Sequence, residues 1–377
     1  MARPRVLRIE RVKVTPLSVP LREPFVIATG RVDVTRAALV EVRVRDPISG
    51  RASTGLGEAA TLSPITREDQ PDVLRALADV ALDGAEIALD PELAALGERL
   101  DAALVDRPVA RCGLETALLD AIARLQGVPL RVLLGGEVAR STRSLVTDIT
   151  LSIAEPLQMA AGARAWWERG FRAFKVKVGK DADRDLRALE AIHRATPEAT
   201  VRLDANAGFS AKDAIAVLRA VERLGMKVEC YEQPCAEDDL DAMAEVAAAI
   251  DPPVLADESV RTLDDLRRVR ARGAADGVNL KLAKSGGPLA AFAIGRAARA
   301  AGMPVMCGGM VETRLGMSAA AHVATALGGV DFVDLDTAWL LAEDPFSGGY
   351  EADGPCYRLN DDAGIGVAPI AAISARS

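Results

Sequence analysis

Short apolar segments alternate with Ala-rich segments of helical spacing between about residue 145 and residue 337. The apolar segments are eight predicted strands: LVTDITLSI, FKVKVG, VRLDAN, VECYEQP, PVLADES, GVNLKLAK, PVMCGGM and FVDLDT. The helical segments between them cover residues 155–169, 182–195, 211–224, 237–250, 262–271, 286–301 and 315–327. Strands that alternate with helices indicate βαβ units and therefore a parallel sheet.

Eight such units in about 210 residues are typical of a TIM-type barrel, here a slightly compact one. A doubly wound open sheet is the alternative, but no G-x-G-x-x-G turn follows any predicted strand. In the first third of the chain, alternating strands at 7–18 and 38–46 precede helical spacing over 70–126, which indicates an α+β domain. We therefore predict an α+β domain over residues 1–130 and a barrel over residues 131–350.

Composition excludes several classes of partner. The formal net charge is −8, and no run of like charge forms a basic stripe, so nucleic acid and anionic membranes are poor candidates. No apolar run resembles a signal peptide or a membrane span. The chain has two histidines, which makes a structural zinc site improbable, and no Cys-x-x-Cys. We expect reduced, buried thiols and a cytoplasmic protein, with the five cysteines at Cys112, Cys230, Cys235, Cys307 and Cys356.

Charged residues collect where the predicted barrel strands end. In chain order they are Lys175, Lys177, Asp204, Glu232, Asp257, Glu258, Lys281, Glu312, Asp334 and Asp336. The carboxyl ends of barrel strands share one face, which is where TIM-barrel active sites are built. Ion pairs that only fill the barrel mouth are the alternative, but the desolvation penalty of a buried ion pair is often as large as its Coulombic stabilisation. A catalytic face is therefore the better interpretation.

Three of these carboxylates lie on consecutive strands, at Asp204, Glu232 and Asp257. Oxygen ligands with no nearby His or Cys suit Mg²⁺ better than zinc or copper, so we predict one Mg²⁺ per subunit. Asn206 and Glu258 adjoin these residues and are candidates to orient them.

Two lysines are candidate bases. Lys177 and Lys281 lie on strands two and six, four apart in a ring of eight, so they face each other across the barrel mouth. One base can remove a proton α to a carboxylate while the other returns one to the opposite face, and Mg²⁺ stabilises the resulting enediolate. Lys175, two residues from Lys177, is expected to lower the pKa of that base.

The motifs FKVKVG, RLDAN, YEQP, ADES and NLKLAKSGG resemble, in order and spacing, those of the muconate-lactonizing branch of the enolase superfamily. The resemblance covers nearly the whole chain. It implies a (β/α)7β barrel and a capping α+β domain. It also implies that the C-terminal tail, about residues 351–377, packs back on the capping domain.

Within that branch the chain is most similar to the dipeptide epimerases, because of DFVDLDTAWLL on the eighth strand. The resemblance implies that Asp334 and Asp336 bind the free ammonium of a dipeptide. Strand eight lies opposite strand four, and an extended dipeptide spans about 7 Å, which fits the gap between metal and Asp pair. Glu312 is a further candidate substrate-binding residue. N-succinylamino acid racemase, o-succinylbenzoate synthase, muconate cycloisomerase and a non-catalytic barrel are the alternatives.

Ala-Glu epimerases carry an Arg after Pro-Phe that binds the substrate's side-chain carboxylate, whereas this chain reads PFVIATGR with Gly30 at the matching position. Arg31 is one residue away and is the remaining candidate for that role. Small or apolar dipeptides are therefore the better expectation. The partner is a small molecule, and we also expect a homo-oligomer.

Overall fold

The computed structural model describes residues 5–90, 93–135, 141 and 143–370. A four-stranded antiparallel sheet of order β3-β2-β1-β4 forms the first domain, the cap. Its elements are β1 (Arg5–Ile27), β2 (Gly30–Arg45), β3 (Ala52–Thr61), α1 (Gln70–Asp79), β4 (Glu86–Leu89), α2 (Ala94–Ala103) and α3 (Pro108–Gln126).

Helix α3 packs directly on strand β3, because glycines remove the side chains that would separate them. A Cβ at Gly55 would lie 2.1 Å from the Ala117 carbonyl oxygen, and one at Gly57 would lie 2.0 Å from the Gly113 carbonyl oxygen. All but three residues of α3 are buried, which is why the helix lacks the amphipathic pattern of a surface helix.

The second domain is a barrel of eight parallel strands in sequential order. After α4 (Leu130–Gly135) and β5 (Ser144–Val146), its strands are β6 (Ile149–Leu151), β7 (Ala173–Lys177), β8 (Thr200–Asp204), β9 (Lys227–Glu232), β10 (Val254–Ala256), β11 (Gly277–Lys281), β12 (Val305–Gly308) and β13 (Phe332–Asp334). The Asp148 N–H donates to the Val333 carbonyl at 3.1 Å and brings the first and last strands together. The predicted fold, a (β/α)7β barrel with an α+β cap, is confirmed.

Helices surround the barrel. They are α5 (Pro156–Glu168), α6 (Ala182–Ala195), α7 (Ala211–Arg223), α8 (Leu240–Ala249), α9 (Leu263–Arg272), α10 (Leu282–Ser285), α11 (Pro288–Ala300) and α12 (Arg314–Ala326). A 3₁₀ turn follows at Thr337–Trp339, and four short strands end the described chain: β14 (Phe346–Gly348), β15 (Tyr350–Asp353), β16 (Cys356–Leu359) and β17 (Val367–Pro369).

The C-terminal segment contacts both domains. Strand β16 pairs with β5 at the start of the barrel. Asp120 of α3 accepts a hydrogen bond from the Ile365 N–H at 2.6 Å, and the Arg124 guanidinium donates to the Val367 carbonyl at 2.9 Å. The segment therefore bridges the cap helix and the barrel, while the exact domain boundaries stay a prediction.

The hydrophobic core is continuous across the two domains. One large cluster joins the cap sheet, α3 and the inner face of α12, and a second fills the space between barrel strands and helices. Within the described chain, four cysteines are buried as expected, but Cys356 is exposed because it points to the solvent face of β16, whose residues alternate between exposed and buried. None of the described helices is long and apolar enough to cross a membrane.

Candidate active site

The inward side chains of the barrel strands build the site. On β7, Phe174 and Val176 face the surrounding helices, whereas Lys175 and Lys177 face the interior, because successive strand residues alternate. The parallel register sets Lys177 beside Asp204 and Asp204 beside Glu232. Charged groups that are far apart in sequence are therefore stacked side by side at the carboxyl ends of the strands.

The three proposed metal carboxylates are buried and contact lysines. Lys177 Nζ lies 2.5 Å from Asp204 Oδ2, and Lys281 Nζ lies 2.6 Å from Asp257 Oδ2. Burial alone would raise the pKa of Asp204 and Asp257, but the lysines outweigh it and lower both. Burial would also lower the pKa of Lys281, yet Asp257 raises it above its usual range. The protein itself thus supplies counter-ions for the three carboxylates.

The residues fit a hard divalent cation. Among the described residues, the side chains that contact Asp204, Glu232 and Asp257 offer lysine ammonium groups and the Asn279 amide, with no thiol or imidazole. Within the part of the chain that the structure describes, Asn206 Oδ1 and Glu258 Oε2 are buried without a hydrogen-bond partner. Oxygen-rich sites with free acceptor atoms suit Mg²⁺.

The two predicted orienting residues lie next to these carboxylates. The Asn206 backbone N–H donates to Asp204 Oδ1 at 2.9 Å, and its side-chain amide donates to Glu258 Oε1 at 3.2 Å. Burial, followed by the charge of Asp257, raises the pKa of Glu258 to about 8. Asn206 therefore links strand β8 to the residue that follows Asp257.

Sequence reasoning missed Gln233, which adjoins Glu232 in YEQP. Its fully buried amide oxygen accepts from the Asp257 N–H at 2.9 Å and the Ser259 N–H at 3.1 Å, and its amide nitrogen donates to the Ser259 hydroxyl. Gln233 thereby fixes the end of β10, and with it Asp257, relative to β9. An uncharged residue beside a charged one gave no electrostatic signal.

Lys284 was also missed, although it lies one helical turn after Lys281. Its buried ammonium donates to Asp257 Oδ1 at 2.6 Å and to the Asn279 carbonyl at 2.7 Å. The following Gly287 has φ +132°, and a Cβ there would lie 2.4 Å from Glu115 Oε1 of cap helix α3. The Lys-x-x-Lys-x-Gly-Gly segment is thus held from both sides.

Lys175 occupies the centre of the site. Its ammonium lies 2.7 Å from Asp334 Oδ2, 2.8 Å from Glu232 Oε2 and 3.0 Å from Asp204 Oδ2. Burial would lower the pKa of Lys175, but the three carboxylates outweigh it and raise it. Lys175 is therefore a fixed cation between the proposed metal ligands and the Asp pair, and its predicted effect on the pKa of Lys177 stays a hypothesis.

The Asp-x-Asp pair lies at the end of β13 and lines the same pocket as the lysines. Asp336 Oδ2 accepts from the Thr150 N–H at 2.5 Å, and its Oδ1 is buried without a hydrogen-bond partner among the described residues. Burial, with the charge of Asp334, raises the pKa of Asp336 to about 6. A third buried carboxylate, Asp148, was not expected from the sequence. One of its oxygens lies within 4.8 Å of an oxygen of Asp334 and an oxygen of Asp336.

The pocket also has an apolar side that comes mainly from the cap. Its residues are Phe25, Ile27, Leu62, Ile65 and Met310, and Thr150, Asn206, Gly309 and Thr337 complete the wall. Arg31 is exposed instead, and its guanidinium bonds Asp33 at 2.8 Å. The position of Arg31 therefore gives no support to a substrate-binding role, because its strand turns the side chain to solvent.

Glu312 also lies outside the pocket wall. Its carboxylate accepts from the Met310 N–H at 2.9 Å and approaches Glu58 of the cap. Glu58 in turn accepts from the Thr313 and Gly316 N–H groups, 3.1 Å each, at the start of α12. Burial raises the pKa of Glu58 to about 8 and that of Glu312 to about 7. Glu312 lies at the interface between cap and barrel, and the substrate contact expected from the sequence stays a prediction.

Residues 9–135 match the family described as the N-terminal domain of mandelate racemase / muconate lactonizing enzyme, and residues 158–372 match Enolase C-terminal domain-like. An aromatic dipeptide epimerase from Herpetosiphon aurantiacus is 38% identical over 95% of this chain and 98% of its own length. The substrate-liganded structure of the L-Ala-D/L-Glu epimerase from Bacillus subtilis has a TM-score of 0.88 at 34% identity, covering 96% of this chain and 99% of that one. A dipeptide epimerase from Cytophaga hutchinsonii, complexed with Mg and D-Ala-L-Val, has a TM-score of 0.87 at 31% identity, covering 97% and 96%. The chain therefore belongs to the mandelate racemase / muconate lactonizing enzyme family of the enolase superfamily.

Proposed function

We propose that this chain is a Mg²⁺-dependent dipeptide epimerase that exchanges the proton at the carbon α to the substrate's carboxylate. The observation that carries the dipeptide assignment is the buried carboxylate of Asp336, which lines the pocket and has one oxygen without a partner. A buried carboxylate without a counter-ion is costly, so this end of the pocket favours a cationic group. The free ammonium of a dipeptide supplies that group.

Lys177 and Lys281 are the proposed acid–base pair. They lie on strands four apart in the barrel and line one pocket, so they reach a bound carbon from different sides. One accepts the α-proton and the other donates a proton to the opposite face. Asp204, Glu232 and Asp257 would hold Mg²⁺, which when bound stabilises the negative charge that develops on the substrate carboxylate. Since Lys177 and Lys281 each contact one of these carboxylates, release from that contact frees the lysine for proton exchange.

The ammonium assignment is tested with Asp336→Asn, which keeps an oxygen for the Thr150 N–H but removes the charge. We expect kcat/KM for L-Ala-L-Phe to fall roughly 30-fold to several-thousand-fold, the range for unpairing a desolvated charge. The activity, if any, on N-succinyl-L-Phe should change far less. The matched control is Asp353→Asn, at an exposed position of β15.

The rival functions make the opposite prediction. An N-succinylamino acid racemase has no use for an ammonium site, and neither have o-succinylbenzoate synthase and muconate cycloisomerase. A wild-type preference for the succinylated compound would therefore reject the epimerase proposal and favour the racemase.

We further propose that the second residue of the substrate is apolar. The five apolar side chains in the pocket wall favour burial of an apolar side chain, and an unpaired substrate carboxylate among them would be costly. In an L-Ala-L-Xaa library incubated in D₂O, deuterium gain should be at least about tenfold faster for Phe, Leu or Met than for Glu. Arg31→Ala, at the exposed Arg31–Asp33 pair, should leave the ranking unchanged. A preference for L-Ala-L-Glu that this substitution abolishes would contradict the proposal.

A further inference from the structure

The ion pair between Asp148 and Arg202 adjoins the Asp334/Asp336 pair on the side away from the pocket. Asp148 precedes β6 and is fully buried, and its Oδ2 accepts from the Arg202 guanidinium at 2.8 Å. The same guanidinium donates to the Val333 carbonyl at 2.8 Å and contacts Glu229 at 2.7 Å. Asp148 does not line the pocket itself, so any effect on a ligand is exerted through its neighbours.

The acidic cluster formed by Asp148, Asp334 and Asp336 is short of positive charge. One oxygen of each residue lies within 4.8 Å of the others. Among the residues that the structure describes, the cations in contact with the cluster are Arg202 and Lys175, and both are shared: Arg202 with Glu229, and Lys175 with two proposed metal ligands. Three carboxylates therefore share two cations, and each of these cations also contacts carboxylates outside the cluster.

Unsatisfied oxygens mark where the missing cation belongs. Among the described residues, the Oδ1 atoms of Asp148 and Asp336 are buried and have no hydrogen-bond partner. Native proteins rarely leave buried carboxylate oxygens unpaired, since the desolvation cost is large. The cluster opens to the pocket through Asp334 and Asp336, so the compensating cation arrives from the pocket side.

The charge of that cation follows from the surroundings. Lys175 and Arg202 already contact the cluster and would repel a divalent ion more strongly than a monovalent one. A primary ammonium carries a single charge and three N–H donors, which suits a cluster that lacks one positive charge.

We propose that Asp148 is a positioning residue that determines specificity for substrates with a free ammonium. Its negative charge adds to the attraction that Asp334 and Asp336 exert on a cation, and the positive charge of Arg202 partly offsets it. This inference rests on the dipeptide epimerase proposed above and adds to it a residue one layer below the pocket wall. It also predicts that removing Asp148 lowers the preference for an ammonium, whereas removing Arg202 does not.

The experiment compares two ligands that differ only in the ammonium, L-Ala-L-Phe and N-propanoyl-L-Phe. Dissociation constants for both are measured by calorimetry on the Mg²⁺-loaded wild type, Asp148→Asn and Arg202→Gln, and their ratio defines the ammonium preference. General damage to the barrel weakens both ligands and cancels in the ratio.

In Asp148→Asn the preference should fall roughly tenfold to a hundredfold, as expected for a unit charge several ångströms away at an effective dielectric constant of about 20. In Arg202→Gln it should stay the same or rise. A drop below threefold in Asp148→Asn, or an equal drop in both variants, would overturn the proposal, because a purely structural role treats the two partners alike.

Two further measurements keep the test decisive. The double variant Asp148→Asn/Arg202→Gln removes both members of the ion pair, so neither charge is left buried without its partner. We therefore expect it to fold even where a single variant does not. Its preference for the ligand with an ammonium should lie below that of the wild type. Titration with Mg²⁺ alone should give the same stoichiometry in the wild type and Asp148→Asn; loss of a second bound Mg²⁺ would assign the cluster to metal instead. A wild type without any ammonium preference would reject the dipeptide proposal itself, whereas a preference that Asp148→Asn preserves rejects only this inference.

Discussion

Replacing Lys177 or Lys281 with Met should lower the rate of epimerisation by at least about a thousandfold, since we propose that each lysine supplies one of two proton transfers. Each variant should still exchange the α-proton of one epimer, because the surviving lysine faces one side of the substrate carbon. The two variants should differ in which epimer they exchange. The measurement is deuterium incorporation from D₂O into L-Ala-L-Phe and L-Ala-D-Phe, with Lys212→Met, at an exposed position of α7, as the control.

The structure also lets loss of a base be separated from loss of the metal site. After loss of Lys177, Asp204 still contacts Lys175 at 3.0 Å, and after loss of Lys281, Asp257 still contacts Lys284 at 2.6 Å. Both variants should therefore fold and bind Mg²⁺, which calorimetric titration checks. A single variant that interconverts epimers at near the wild-type rate would show that the two-lysine mechanism is wrong.

Removal of Mg²⁺ should abolish activity while the fold persists. In the proposed mechanism the metal stabilises the charge that develops on the substrate carboxylate, so a loss of at least about a thousandfold is expected without it. The fold should survive because lysine ammonium groups contact all three carboxylates within 3.0 Å. Structural zinc sites behave in the opposite way, since their proteins unfold without metal.

The measurement is epimerisation in excess chelator, followed by Mg²⁺ addition, alongside thermal unfolding in both conditions. Activity should return on addition, and the melting temperature should rise only by the amount that mass action on the folded state gives. Full activity in chelator would contradict the metal proposal, and cooperative unfolding on chelation would contradict the lysine counter-ion argument. Asp257→Asn serves as the matched variant, with weaker Mg²⁺ affinity expected.

The barrel could be predicted closely from the sequence because its strands and helices follow local periodicity. Helix 182–195 is observed with the same bounds, and helix 237–250 is observed as Leu240–Ala249, where Asp239 caps the first turn. The cap was harder. Strand β4 interrupts the region predicted to be helical, since its four residues are fixed by pairing with the distant start of β1.

The same physical limit applies to the site. Lys177, Asp204, Glu232, Asp257 and Lys281 could be placed together, because strand alternation and barrel order bring strand ends to one face. The Asp148–Arg202 pair and the Glu58–α12 contact could not, since their partners are 54 and 255 residues apart in sequence and meet only after the barrel closes. The substrate contacts expected of Arg31, on β2, and Glu312, after β12, stay predictions, because the direction of each side chain depends on neighbours that the sequence does not name.

The contacts between cap and barrel limit how this architecture can be recombined. Glu58 binds the first turn of α12, Arg111 and Glu115 of α3 hold the segment after Lys284, and four of the apolar residues that line the pocket belong to the cap. The cap thus contributes the apolar side of the pocket and also holds the barrel backbone next to the proposed catalytic residues. Grafting the cap of a relative onto this barrel would exchange specificity only if the contacts made by Glu58, Arg111 and Glu115 were preserved in the hybrid. New specificities are therefore better sought by substitution within the cap than by exchange of whole domains.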